Sequence, residues 1–342
     1  LGGHGGGVDL HGAKIIPGLV DVHTHGNSGC DFSDGDEAGL RTMAAYEGKN
    51  GVTSFLPTSM TLPYEVLAKA FANARTVADS PAPGAARVMG IDMEGPFCSE
   101  KKKGAQNPAY LKNPDVAAFR KLNESCGGLV KIVVVAPELS GGEEFIREIS
   151  KDCVVSIAHT DCDYDQAVLG IEAGASHLTH LYNAMASLHH RDPGPIAACA
   201  ESENVMAELI CDGVHIHPAA VRAAFKLFPG RICLISDSMR ACGMPEGESD
   251  LGGQKVYIQG RKATLADGTI AGSATNLYDC MRTAVSFGIG ETEAILAATW
   301  NPARSAGLEN QVGAIAPGLY ADFVVCDEDL TAKQVYIGGK PV

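Results

Sequence analysis

No apolar run in this 342-residue chain approaches the length of a bilayer span, because charges interrupt every one of them. Nor does the chain open with a basic segment followed by an apolar stretch, so neither a membrane span nor a secretory leader is indicated and a cytoplasmic location is the expectation. The eleven cysteines, an odd number, include no Cys-x-x-Cys pair; free thiols in a reducing compartment fit them better than a disulfide framework or a zinc ribbon. Positive charge is scarce, with 27 Lys and Arg against 41 Asp and Glu and a net charge of −14. Without a basic stripe, non-specific binding to nucleic acid or to an anionic membrane is excluded. A small anionic substrate stays open, since a metal and one or two arginines invert the field locally. An initiator methionine is missing as well, and residues 1–7 are too rich in glycine to hold a packed element.

What remains is an ordinary globular composition, 45% hydrophobic and 20% charged, long enough for one large α/β domain or two medium ones. From Pro17-Gly18 onward one pattern repeats: a short run rich in Val and Ile, a polar loop, then a segment of helical periodicity. The runs cover residues 19–23, 51–57, 87–93, 130–136, 154–158, 176–179, 205–211 and 231–236. Eight such units predict a closed (β/α)8 barrel, and parallel strands covered on both faces explain the continuous apolar runs. Residues 19–244 with 271–311 are assigned to that barrel. Residues 1–18, 245–270 and 312–342 read as β segments and predict a small β-sandwich domain built from the chain ends and an insertion, incomplete at its N-terminus.

The unusual polar residues fall at the ends of these runs: His23 and His25, Glu94, His159, His180 and Asp237. Barrel enzymes carry their sites there. His23 and His25, spaced i and i+2 on a strand, point the same way and make half of a metal site. Glu94, His159 and His180 give two imidazoles and one carboxylate, the composition of a hydrolytic centre that lowers the pKa of bound water from 15.7 to about 7. Asp237 beside it is placed to take the proton of that water. Each residue also has a plainer reading: Glu94 before Gly-Pro as a turn residue, His159 as a satisfied core histidine, Asp237 as a buried carboxylate paired with an arginine. His177 competes with His180, but strand alternation puts it on the opposite face and assigns it a structural role. His4, His11, His189, His190 and His217 are expected on the surface or in loops.

The chain resembles the N-acetylglucosamine-6-phosphate deacetylases of the amidohydrolase superfamily. The resemblance rests on Pro17-Gly-Leu-Val-Asp-Val-His-Thr-His-Gly26, Met93-Glu-Gly-Pro-Phe97, Lys103-Gly-Ala-Gln-Asn-Pro108, Ala158-His-Thr160, Thr179-His-Leu-Tyr-Asn-Ala-Met185, Cys211-Asp-Gly-Val-His215, Ser236-Asp237 and Ala271-Gly-Ser273. It implies Glu94, His159 and His180 as metal ligands and Asp237 as the catalytic acid and base. It implies Asn183, Ala184 and Arg191 near a phosphate, His215 on the sugar phosphate, and Ala105, Gln106, Asp212, Ile270, Ala271 and Gly272 among the substrate-binding positions. Backbone N–H groups at Asn183 and Ala184 suit a phosphate, and an arginine grips one with two parallel hydrogen bonds; the plainer reading pairs Arg191 with Asp192. Gln106 departs from the family, some members of which place a histidine there to polarise the acetyl carbonyl; glutamine donates a hydrogen bond but no proton.

The reaction so implied is hydrolysis of the acetamide of N-acetylglucosamine 6-phosphate, with Asp237 moving the proton from water to the leaving amine and Gln106 helping the metal at the oxyanion. Zinc is the first expectation, with iron, manganese or cobalt as alternatives. His23 and His25 sharpen it to a second metal position that shares Glu94, hence two ions per chain at saturation. A homodimer is the family expectation. Alternatives are the galactosamine epimer, another amidohydrolase, or a non-catalytic barrel. Many amidohydrolases of cyclic amides use a carboxylated lysine at strand four, where this chain has Val133-Val-Val-Ala-Pro-Glu138. A non-catalytic descendant would have lost ligands, and none is missing.

Overall fold

The computed structural model describes residues 9, 10 and 12–342; His4, His11 and the glycine-rich start lie outside them. Eight parallel strands hydrogen-bond in chain order: β1 (Leu19–Thr24), β2 (Val52–Ser59), β3 (Ile91–Met93), β4 (Val130–Val135), β5 (Val154–Ile157), β6 (His177–Leu178), β7 (Met206–Ile210) and β8 (Ile232–Ile235). The ring closes where the Asp237 N–H donates to the His23 carbonyl at 3.0 Å. Between and after the strands run α1 (Glu37–Lys49), α2 (Tyr64–Asp79), α3 (Val116–Ser125), α4 (Gly142–Ile149), α5 (Tyr164–Ala173), α6 (Gly194–Glu201), α7 (Pro218–Leu227) and α8 (Leu277–Ser286), followed by α9 (Glu291–Ala298) and α10 (Trp300–Ser305). Among the described residues no helix is long and apolar enough to cross a membrane.

Local sequence sets the helix starts. Asp36, Asp115 and Asp163 cap α1, α3 and α5 through their carboxylates, and His217, expected in a loop, caps α7 by accepting the Ala219 N–H. Two apolar cores result. Inside the barrel Val20, Val22, Leu56, Ile132, Ile210 and Ile235 pack with Ala303, Leu308 and Val312; outside, Leu19, Phe55, Val133 and Leu209 pack against the helices.

The β segments outside the barrel form two four-stranded antiparallel sheets. Lys14–Pro17 pairs with Phe323–Cys326, which continues to Ala332–Ile337 and Lys340–Pro341; Ile16, Val324 and Val335 join the outer core beside α1. Gly247–Leu251, Gln254–Gln259, Lys262–Thr264 and Ile270–Ser273 make the other sheet. Its Leu251, Val256 and Ala271 pack on Met60 and Met239. One sheet attaches where the chain enters β1 and the other where it leaves β8. A bridge between Ser238 and Ser273 ties the insertion back to the barrel mouth.

Candidate active site

Alternation along a strand would not by itself bring the polar residues together. In β1, Val20 and Val22 face the barrel interior, so Asp21 and His23 should both face the helices. Three steps of β1, Asp21 to Thr24, pair with two of β2, Phe55 to Pro57. This bulge turns His23 inward while Asp21 stays outside, near Glu47 of α1. After β5 and β6 the device is different. Ala158 and Thr179 are the last inward residues, and His159 (φ 45°) and His180 (φ 32°) then adopt left-handed backbone that swings them to the mouth. Such backbone costs about 1–3 kcal/mol per residue and gathers at functional sites. The same irregularity corrects the expectation for His177: it also lies inside, one layer deeper, with Nδ1 3.2 Å from the Ser156 hydroxyl.

At the mouth the imidazoles converge on Glu94. The Nε2 atoms of His159 and His180 each lie 3.0 Å from Glu94 Oε1 and 3.1 Å from one another. The Nε2 of His25 lies 3.4 Å from Glu94 Oε2 and 3.3 Å from His23 Nε2. Two triads, His23-His25-Glu94 and Glu94-His159-His180, therefore share one carboxylate, the donor atoms of each within 4.8 Å of one another. Three of the four far nitrogens face acceptors: Nδ1 of His25 the Thr58 carbonyl at 3.1 Å, Nδ1 of His159 the Lys102 carbonyl at 2.9 Å, and Nδ1 of His23 the Glu208 carboxylate at 3.0 Å; Nδ1 of His180 is buried without a hydrogen-bond partner. Each acceptor takes the Nδ1 proton and aims Nε2 at the centre, the orientation of metal-binding histidines. The donor set fits a divalent metal.

The electrostatics agree. Burial pushes the Glu94 carboxyl up, but His159, His180 and His25 outweigh it and hold the group well below the carboxylate range. Burial opposes charge on His25, yet Asp237 and Glu94 hold its pKa at about 10. The field that keeps a proton there also favours a metal cation. Asp237, with Oδ1 3.4 Å from His25 Nε2, is kept ionised by His25 and His23 against the effect of burial.

His25, Glu94, Ala105, Gln106, His159, His180, Asn183, Ala184, His215, Asp237, Ile270 and Gly272 line one pocket, closed further by Met60, Gly104, Leu251 and Thr269. Ala271 and Asp212 stand behind it. Asp212 accepts from His215 Nδ1 at 2.8 Å and from the Val214 and His215 N–H groups, which raises the His215 pKa above its ordinary value although burial opposes it. Two expectations change. Gln106 is already engaged, its Nε2 donating to Glu94 Oε2 at 2.6 Å while Oε1 accepts the Thr61 N–H at 2.8 Å, so its first task is to hold Glu94 rather than a carbonyl. Arg191 is exposed, with Nη1 2.7 Å from His190 Nε2, and neither lines the pocket nor pairs with Asp192; its hairpin turns it outward.

Sequence reasoning missed Glu208 and Asp92, although each interrupts an apolar run, a visible signal. The carbonyls of Thr58 and Lys102 carry no side-chain signal at all, and Leu251 reaches the pocket only because the insertion folds back.

The sequence model of the amidohydrolase family matches residues 15–342. The chain belongs to the amidohydrolase family. This amidohydrolase is 38% identical over 321 residues to an N-acetylglucosamine-6-phosphate deacetylase of Bacillus subtilis, covering 92% of this chain and 81% of the relative. It is 34% identical to an N-acetylgalactosamine-6-phosphate deacetylase of Escherichia coli O157:H7, covering 95% and 87%. Its fold superposes on the crystal structure of N-acetyl-D-glucosamine-6-phosphate deacetylase from Mycobacterium smegmatis with a TM-score of 0.91 at 33% identity, covering 96% and 88%.

Proposed function

We propose that this amidohydrolase removes the acetyl group of N-acetyl-D-glucosamine 6-phosphate, giving D-glucosamine 6-phosphate and acetate in amino-sugar metabolism. The observation that carries the reading is one pocket containing both the Glu94-centred cluster with Asp237 and, for a phosphate, His215, whose pKa Asp212 raises, with Asn183 and Ala184. Glu94, His159 and His180 would hold one divalent ion, and His23 and His25, sharing Glu94, a second; zinc is the first candidate, ahead of iron, manganese and cobalt. A cation bound there acidifies water and polarises an amide carbonyl.

The remaining work belongs to the chain. Asp237 takes the proton of the attacking water and returns it to the leaving nitrogen, and its ionised state suits the first half of that task. Gln106 fixes Glu94. His215 and the Asn183-Ala184 turn grip the phosphate, and Ala105, Ile270 and Gly272 enclose the sugar. Arg191, turned to His190, is left out of this set. Cytoplasmic action and a homodimer belong to the same proposal, and light scattering on the purified chain tests the latter.

Acetate release should be measured from the phosphorylated and free forms of N-acetylglucosamine and N-acetylgalactosamine, with metal analysis of the same sample. Release is expected from the phosphorylated glucosamine derivative with two ions per chain. Equal release from the free sugar would undo the phosphate assignment. Preference for the galactosamine epimer would favour the second reading, which the relative from Escherichia coli supports.

A further inference from the structure

We infer that Glu208 positions His23 from inside the barrel and thereby sets how tightly the His23-His25-Glu94 position holds its ion. The inference rests on the two-position reading above. Glu208 stands on β7, wholly buried, in a group with His23 and a second buried carboxylate, Asp92. No lysine or arginine reaches it among the described residues. Its Oε2 lies 3.0 Å from His23 Nδ1 and accepts the main-chain N–H of His180 at 3.1 Å; its Oε1 has no hydrogen-bond partner and stands 3.7 Å from His177 Nδ1.

A buried carboxylate without a cationic side chain is costly unless the groups around it carry positive charge or strong donors. Here those groups are His23 and the His180 N–H. The contact to His23 is the one with chemical consequence: it fixes the proton on Nδ1, orients the ring, and makes Nε2, 3.3 Å from His25 Nε2, a stronger donor. The contact to His180 is to backbone and leaves its imidazole to Glu94 and His159. One carboxylate therefore touches ligands of both positions but tunes the electronics of only one. Asp92, whose Oδ2 is 3.4 Å from the same His23 nitrogen, is the natural rival; its nearest hydrogen-bond partner is the Thr58 hydroxyl, at 3.4 Å.

Metal-stripped wild type, Glu208→Gln and Asp92→Asn are to be titrated with zinc under equilibrium dialysis, counting bound ions by mass spectrometry, with cobalt spectra as a second readout. Wild type is expected to bind two ions in two steps. Glu208→Gln should fill the first step as wild type does and the second about 10- to 100-fold more weakly, while Asp92→Asn keeps both. In a His23→Gln background, adding Glu208→Gln should cost no further affinity. Equal weakening of both steps, an unchanged second step, or loss of the second step in Asp92→Asn instead would each overturn the inference. Should Glu208→Gln fail to fold, Glu208→Asp, which retracts the charge by one methylene, is held to the same two-step pattern. A single ion in wild type would show instead that the two-position reading itself has failed.

Discussion

At the barrel mouth and on the helix side of β1, two groups of buried acids behave in opposite ways. Glu94 and Asp237, at the mouth, are held below the carboxylate range. Across the strand, burial pushes Asp21 up to about 7, against hydrogen bonds from Ser236 and the His23 N–H. Burial and then the neighbouring Asp21 charge push Glu47 up to about 8, with only the Asn27 amide, at 2.8 Å, working the other way. Desolvation acts on all four in the same sense. What differs is the company: imidazoles on one side, a second carboxylate and an amide on the other. Burial alone therefore does not set the charge of an acid; the groups beside it decide.

The strongest way to break this contrast is at Asp237. Asp237→Asn keeps the shape and removes the base, so kcat should fall roughly 100- to 10,000-fold with metal content unchanged; turnover near wild type at full metal loading would remove Asp237 from the mechanism. A smaller effect is expected at His215, whose pKa Asp212 raises as Asp237 raises that of His25. His215→Asn should raise KM for the phosphorylated sugar by about 10- to 100-fold, the worth of one charge-assisted hydrogen bond, with kcat nearly kept; steady-state kinetics that showed only a kcat loss would contradict it.

The smallest effect belongs to the helix side and appears in stability, not catalysis. Glu47 has a folded pKa of about 8 against 4.5 for a free glutamate. Its proton therefore stabilises the fold fully below about pH 4, and that contribution is lost as pH rises through 8. Glu47→Gln mimics the protonated form, so it should melt with wild type at pH 4 and above it at pH 9, with unchanged kcat/KM at neutral pH. A Tm difference that did not vary with pH would mean that Glu47 is already ionised in the fold.

The cluster around Glu94 was legible because each of its residues is a polar residue ending an apolar run, which is a one-dimensional pattern. Glu208 produced the same kind of interruption in the middle of a run, where the reading favoured strand ends. Arg191 stands out in the sequence because its residue type suits a phosphate, while its direction, here towards His190, depends on a hairpin that no local pattern specifies. The β segments outside the barrel pair as two sheets, one from the chain ends and one from the insertion, since strand pairing follows where each segment is tethered rather than its β character. Alternation, applied to His177 and His180, failed because it assumes regular strands up to the last residue.

By itself the sequence determined the eight-fold alternation, the polar residue types at the strand ends and the negative overall charge, since hydrophobic period and side-chain chemistry are properties of residues in order. Only the tertiary structure decided that His23 faces inward while Asp21 faces out. It also turned His159 and His180 through left-handed backbone, and gave Glu94 imidazoles where Glu47 has a carboxylate. Those outcomes depend on register and on neighbours brought from distant parts of the chain, and a carboxylate takes its charge from them.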